Sequence, residues 1–344
     1  MATAATAAAA AASTAASAAA PRLLPLADIA VNLADPMFAG VYRGKRAHDA
    51  DVAAVVERAR RVGVARLVAT GTSLADYRAA VALARDLGVH ASVGCHPTHC
   101  AEPDAHAPGG ADAYFADLLR LVRDDRAAAR PAVVAIGECG LDYDRTHFCP
   151  ADLQRRHFAR HFDLAHQTGL PMFLHDRNTG PDFVDMVRAH RHLFSTAVVH
   201  SFTGPLDEMR VLTDELGLYI GVNGCSIKTD EQIEVVRRIP LDRIMLETDA
   251  PWCDIRPTHA SFRFLSQHGL PDPLAAAGIE SRKKEKFAMG HMVKSRNEPC
   301  TMPHVLRAVA AIRGESEEQL ALAAFRNTLR VFFPDDPEAA AASQ

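Results

Sequence analysis

The 344-residue chain lacks several features that would have assigned a function class at once. It has no excess of basic charge: 38 Lys and Arg stand against 42 Asp and Glu, a net charge of −4. No overall field draws it to a polyanion, so any contact with nucleic acid has to come from a local patch. It has no apolar run long enough to span a bilayer, which excludes a helical membrane protein and predicts no membrane partner. It has no disulfide framework either. The seven cysteines, Cys95, Cys100, Cys139, Cys149, Cys225, Cys253 and Cys300, are odd in number and irregularly spaced in a chain far larger than the domains that need such staples. They read as reduced thiols of an intracellular protein of the cytoplasm or nucleus. Residues 1–21 lack charge altogether and are almost wholly Ala, Ser and Thr, so they offer nothing specific to pack and are expected to be a disordered extension. The same stretch lacks the strong apolar centre of a secretory signal and the arginines of an organellar transit peptide, which makes targeting the less favoured reading. Residues 335–344 are expected to form a short acidic tail.

What is present is enough apolar material, 48% of residues, to bury a substantial core. Short apolar runs alternate with amphipathic segments. Strands are expected at Leu26–Leu33, Arg66–Thr70, His90–Gly94, Val133–Ile136, Met172–Leu174, Ala197–Val199, Leu218–Gly221 and Ile244–Leu246, with helical patterns between them. Eight βα units predict a (β/α)8 TIM barrel of the metal-dependent hydrolase type, with a doubly wound open sheet as the runner-up, because alternation alone does not show closure. No compositional break divides residues 22–334, so one domain is expected, and a monomer is the favoured state. Residues from Asp249 to about Pro303 read as a long irregular stretch, followed by helices near His304–Ile312 and Ser316–Phe332.

Chemistry concentrates at the strand exits. Val133-Val134-Ala135-Ile136 reads as a buried strand, and Glu138 follows it in what reads as a glycine-bracketed turn, Gly137-Glu138-Cys139-Gly140. A carboxylate in that position has to be solvated, paired or bound to metal. His175, His200 and Asp249 likewise follow apolar strands, and in a barrel all four project at the end where active sites form. Two imidazoles and two carboxylates around one cavity suit one or two divalent cations, and equally suit a metal-free acid/base site. His96 leaves the third strand toward the same rim, and its tight Cys-His-Pro-Thr-His-Cys setting does not match structural-zinc spacing. It reads as a group that touches substrate or supports a ligand. Arg177, two residues past His175, offers a planar donor set for a phosphate. Asp142 and Asp144 read as residues that orient loop backbone. Between Arg256 and Arg296, Arg282, Lys283 and Lys284 lead a local positive excess that, set beside the acids and imidazoles, would hold a nucleic-acid backbone.

The stretches Asn32-Leu33-Ala34-Asp35-Pro36, Val93-Gly94-Cys95-His96-Pro97, Ala135-Ile136-Gly137-Glu138-Cys139-Gly140-Leu141-Asp142, Val199-His200-Ser201-Phe202, Leu246-Glu247-Thr248-Asp249-Ala250-Pro251 and Arg296-Asn297-Glu298-Pro299 run in an order that resembles the TatD family of metal-dependent deoxyribonucleases, and its eukaryotic branch in particular. The resemblance implies a (β/α)8 barrel that hydrolyses phosphodiesters of a DNA substrate, with exonuclease action from the 3′ end. It implies that Glu138, His175, His200 and Asp249 hold divalent metal, Mg²⁺ favoured over Mn²⁺ or Zn²⁺, and that Glu138 and Asp249 are catalytic. His96, Arg177, Arg282, Lys283, Lys284 and Arg296 would then bind substrate. Many members carry two metal-binding histidines on the first strand where this chain has Ala30 and Asn32, so one or two ions are expected. The alternatives are another metal-dependent hydrolase of a lactone, amide or phosphate ester, and a catalytically impaired nucleic-acid-binding scaffold.

Overall fold

Eight apolar segments pair side by side, all parallel, in the order in which they occur in the chain. In the computed structural model, which describes residues 23–266 and 271–337, they are β1 (Leu26–Val31), β2 (Val64–Ala69), β3 (His90–Val93), β4 (Val133–Asp142), β5 (Met172–Arg177), β6 (Ala197–His200), β7 (Tyr219–Val222) and β8 (Ile244–Leu246). The two edges meet just past β8. Val31 bridges Ala250, the Asp249 N–H donates to Ala30 O at 2.9 Å, and the Asn32 N–H donates to Ala250 O at 2.8 Å. The buried Asp28 fastens the same seam through the N–H (2.9 Å) and hydroxyl (2.5 Å) of Thr248. The sheet thus closes, by this short seam, into the expected barrel rather than an open doubly wound sheet.

Seven longer helices wrap the strands among the described residues, α1 (Val52–Arg61), α2 (Leu74–Leu87), α3 (Gly110–Arg126), α4 (Ala151–Thr168), α5 (Pro181–His190), α6 (Leu206–Arg210) and α7 (Asp230–Arg238), with a single-turn helix at Glu102–Ala105 before α3. Their ends follow from local chemistry. Ser73 with Asp76 forms a capping box at the start of α2, and Gly88 ends it in the left-handed conformation at φ +64°. Tyr77, Ala80, Val81 and Ala84 recur at helical spacing and form its buried face.

Apolar side chains form two layers. One lies between helices and strands. The other fills the barrel: Ile29, Ala135, Phe173, Val198 and Met245 meet Phe325, Leu329 and Phe332 of the C-terminal helix α9 (Glu317–Phe332), which follows α8 (Met302–Arg313). Fully burying a side chain such as Phe173 contributes about 1.5–3 kcal/mol. The Asn327 amide of α9 also donates to Leu241 O and Ile244 O at 3.0 and 2.8 Å, at the start of β8. With the strand-start end closed by α9, the end where the strands finish is the one left open for a site.

Three local expectations change. Strand β4 does not stop at Ile136 but runs on through Asp142, and β5 runs on through Arg177. The stretch from Asp249 to Pro303 is not wholly irregular: it carries short helices at Phe262–Ser266 and Pro273–Ala276, and a strand pair in which Ser281–Arg282 lies beside Met292–Val293. A small hairpin joins Val41–Tyr42 to Lys45–Arg46. The Ala-rich extension at 1–21 lies outside the described residues, as does the tail from 338 onward, although Asp336 at its root accepts from Arg66 at 2.6 Å. Among the described residues no helix is long and apolar enough to cross a membrane.

Candidate active site

The site begins with an irregularity in β4. Gly137 lies opposite Phe173 and Cys139 opposite Leu174, so Glu138 between them has no partner and bulges out of the ladder. Gly137 and Gly140 sit at φ +142° and +149°, and a Cβ there would come within 2.0 Å of Phe173 O and 1.9 Å of His175 O. Only glycine lets β4 approach β5 this closely on both sides of Glu138. The two glycines therefore serve a bulged strand, not the turn that the sequence suggested. Tyr77, fully buried in α2, holds the bulge: its hydroxyl accepts from the Glu138 N–H at 2.7 Å and donates to the Glu138 carbonyl at 3.1 Å.

Three imidazoles converge on one oxygen of that carboxylate. His175 Nδ1 and His200 Nε2 each lie 2.7 Å from Glu138 Oε1, and His96 Nε2 lies 3.3 Å from it. The two nearer nitrogens are only 3.2 Å apart. All four side chains are buried. Burial raises the Glu138 pKa, but His200, His96 and the His175 hydrogen bond outweigh it and hold the carboxyl well below its usual range. Burial lowers the His200 pKa, but Glu138 and Glu247 outweigh it and raise it well above the ordinary imidazole value. For His96 burial prevails, and its pKa is lowered.

Asp249 forms the facing wall of the same cavity. Asn32 donates to its Oδ1 at 3.0 Å and itself accepts from the Thr70 hydroxyl, while the Cys253 thiol lies 3.3 Å from Oδ2. Burial pushes the Asp249 carboxyl up to about 6; His200 pulls it down, and the charges of Glu138 and Glu247 reinforce the rise. Asn32 thus occupies, as a hydrogen-bond donor, the position at the end of β1 where a histidine ligand was the alternative.

The arrangement fits a divalent cation on its own chemistry. Imidazole nitrogens 3.2 Å apart, both against one carboxylate oxygen, form a preassembled N,N,O donor set. His96, Glu138 and His175 form a second such trio. The ligand orienters are present as well: Asp142 Oδ2 lies 3.3 Å from His175 Nε2, and Glu247, held by the Ser201 N–H (2.6 Å) and the Asn223 amide (3.0 Å), faces His200 Nδ1 at 3.7 Å. The cluster can bind metal.

The expected site residues therefore divide. Glu138, His175, His200 and Asp249 line one cavity of about 680 Å³, together with His96 and Arg177. His96 stands closer than a substrate-binding role requires, because it touches the ligand carboxylate itself. Arg177 stands on the wall shared with a neighbouring cleft of about 730 Å³, and its Nε, although buried, has no hydrogen-bond partner. Arg282 and Lys283 are exposed and Lys284 is half-buried over the Tyr42 ring, 5.0 Å from its centroid; none of the three lines the cavity. Arg296 has to be corrected. Its guanidinium is buried and bound to both oxygens of Asp51 and to Glu298, each at 2.7 Å, so it is not free to hold a phosphate. Asp142 does more than orient loop backbone, since its Oδ2 lies 3.3 Å from His175 Nε2. Sequence reading missed Tyr77, which carries no motif signal, and Glu247, whose signal was its place in Glu247-Thr248-Asp249.

The comparisons agree with this geometry. The family model described as TatD related DNase matches residues 27–333. A Schizosaccharomyces pombe protein named Deoxyribonuclease Tat-D is 42% identical over 306 residues, covering 88% of this chain and 94% of the relative. An Erwinia tasmaniensis protein named 3′-5′ ssDNA/RNA exonuclease TatD is 32% identical over 89% of this chain and 98% of its own length. A solved Saccharomyces cerevisiae structure, titled an uncharacterized amidohydrolase, superposes with a TM-score of 0.80 at 31% identity, covering 90% of this chain and all of that one. A bulged carboxylate ringed by imidazoles at the open end of a closed barrel, matched almost end to end by these relatives, makes this chain a member of the TatD-related DNase family.

Proposed function

We propose that this protein is a divalent-metal-dependent deoxyribonuclease that removes nucleotides from the 3′ end of a DNA strand. The observation that carries the reading is the meeting of His175 and His200 at Glu138 Oε1, with Asp249 across the same cavity. The names of the relatives, a deoxyribonuclease and a 3′-5′ ssDNA/RNA exonuclease, support the substrate and the polarity.

Glu138, His175 and His200 would hold the cation, with Asp249 lining the same cavity and His96 as a further donor within reach of Glu138. Bound there, a divalent ion lowers the pKa of water and stabilises charge on a phosphoryl oxygen. Asp249, which lines the same cavity, would take the proton from the attacking water. Asn32 keeps that carboxylate turned into the cavity by binding its other oxygen. Arg177, the cationic side chain on the wall without a hydrogen-bond partner among the described residues, is placed to receive a phosphate. Mg²⁺ is the ion we favour from the family resemblance, with Mn²⁺ or Zn²⁺ as alternatives that the imidazole donors also suit.

The test is incubation of the purified protein with end-labelled single- and double-stranded DNA, RNA and small esters, in Mg²⁺, Mn²⁺ or EDTA. Stepwise loss of 3′ nucleotides that stops in EDTA is the expected result. Binding without turnover, or cleavage of small esters alone, would replace this reading.

A further inference from the structure

A strand end in this cavity brings bases as well as phosphates, and the donor set at Glu138 and Arg177 address only the phosphate. Few large apolar side chains are exposed among the described residues: Leu23, Phe148, Trp252, Phe262 and Met289. Single exposed apolar residues are ordinary and need no explanation. Two of these, however, are aromatic rings that line the cavity holding Glu138, His175, His200 and Asp249: Phe148, 63% exposed, and Trp252, 54% exposed.

Both rings stand on fixed backbone. Trp252 follows the seam that closes the barrel; its N–H donates to Asp249 O at 3.0 Å, and its carbonyl accepts from the Asn297 amide at 2.6 Å. That same buried amide donates to Thr248 O at 3.0 Å, so one side chain pins both ends of the turn that carries Asp249 and Trp252. Phe148 lies on the loop between β4 and α4. The fully buried Gln154 ties that loop down at both ends, donating to Cys149 O (2.8 Å) and Asp142 O (2.9 Å) and accepting from the Asp142 N–H (2.7 Å). The Phe148 N–H donates to Arg145 O at 3.0 Å. Anchored rings that stay in water at the mouth of a catalytic cavity have the build of a stacking platform: rigid, flat and sequence-tolerant.

We infer that Trp252 and Phe148 are the base-binding elements of this site: each stacks on an unpaired nucleobase at the strand end whose phosphate lies over the metal ligands. The inference rests on the nuclease reading and deepens it. A base can lie flat on these rings only when it is out of a duplex, so the enzyme takes its terminal nucleotides single-stranded and with little preference among bases. Arg177 holds backbone, the rings hold bases, and the donor set at Glu138 addresses the bond between them.

Trp252 is the one tryptophan of the chain, so intrinsic fluorescence reads this ring alone. The experiment titrates the full chain in EDTA, where cleavage stops, with a short oligothymidylate, with an abasic oligonucleotide of equal length, and with inorganic phosphate. Emission is expected to fall by about half or more with oligothymidylate and to change little with the other two. In Mg²⁺, Trp252→Ala is expected to raise KM for oligothymidylate by about 5- to 150-fold, the range of one lost base stack, with kcat within about twofold. Trp252→Phe should recover most of that loss, and Phe148→Ala should raise KM in the same sense. Equal quenching by the abasic strand, or cleavage by Trp252→Ala with unchanged KM, overturns the inference while leaving the nuclease reading in place. Quenching by the base-bearing strand alone, without cleavage of any nucleic acid, keeps the inference and removes that reading.

Discussion

Two clusters of buried charge lie in this molecule, and they are built on opposite plans. In the first, at the open end of the barrel, His96, His175 and His200 crowd a single oxygen of Glu138, and two of the nitrogens face each other at 3.2 Å. In the second, Arg58 and Arg296 interleave with Asp51 and Glu298. Arg296 grips both oxygens of Asp51, Arg58 reaches Asp51 at 3.1 Å and Glu298 at 2.8 Å, and Glu298 Oε1 takes Arg296 at 2.7 Å. The second cluster balances two cations against two anions and ties the start of α1 to the segment before α8. The first brings several donor atoms to one point, and an additional cation would satisfy them. Burial and charge alone therefore do not mark a functional site; convergence of lone pairs does.

Activity is where the difference should appear most strongly. Glu138→Ala is expected to lower metal-dependent cleavage by at least about 10³-fold, the scale on which a preorganised electrostatic group is missed, while circular dichroism and the unfolding midpoint stay near those of the parent. Arg296→Met should behave in the opposite way. It leaves Asp51 and Glu298 short of a partner and should cost about 3–5 kcal/mol of stability in denaturant unfolding, with kcat of the folded fraction within about twofold. A variant that loses both properties together, in either cluster, would break the comparison.

Smaller effects sharpen it. Tyr77→Phe leaves the buried Glu138 N–H without its acceptor, at a cost of about 1–3 kcal/mol, and should lower kcat about tenfold through misplacement of the carboxylate, with KM unchanged. Stability should also fall on the acid side for a reason separate from both clusters. The buried His161 and the half-buried His90 are each lowered to about 4, first by desolvation. Because the unfolded imidazoles bind protons near pH 6.5, the stability these residues contribute is fully present above that value and is lost as pH falls toward 4. His161→Leu should flatten that part of the curve of unfolding midpoint against pH.

The barrel was legible in the sequence because each βα unit announces itself: a short apolar run, then an amphipathic helical pattern. The four ligand-type residues were legible because each ends such a run. What sequence could not distinguish was an arginine that binds substrate from one that binds its own fold. Arg296 stands, like Glu138 and Asp249, in a stretch that carries the family resemblance, and only its burial against Asp51 and Glu298 shows which it is. Its neighbour Asn297, given no role of its own in the sequence, proves to hold the turn of Asp249 and Trp252. Tyr77 lies 61 residues from Glu138 and reaches it only because α2 packs over β3, the strand beside β4, a long-range contact that no local pattern encodes. The bulge at Glu138 was hidden for a related reason: paired glycines read as a turn unless the carbonyls of Phe173 and His175 that they make room for are seen.

The central claim is that Glu138 organises a cation site on which phosphodiester cleavage depends. Calorimetric titration of Mn²⁺ into the full chain and into Glu138→Gln, each paired with release of 3′ nucleotides from end-labelled single-stranded DNA, tests it most directly. The account predicts a saturable Mn²⁺ site and metal-dependent release in the parent, and loss of both in Glu138→Gln. A Glu138→Gln protein that binds Mn²⁺ with unchanged stoichiometry and affinity, and cleaves at the parental rate, would contradict it.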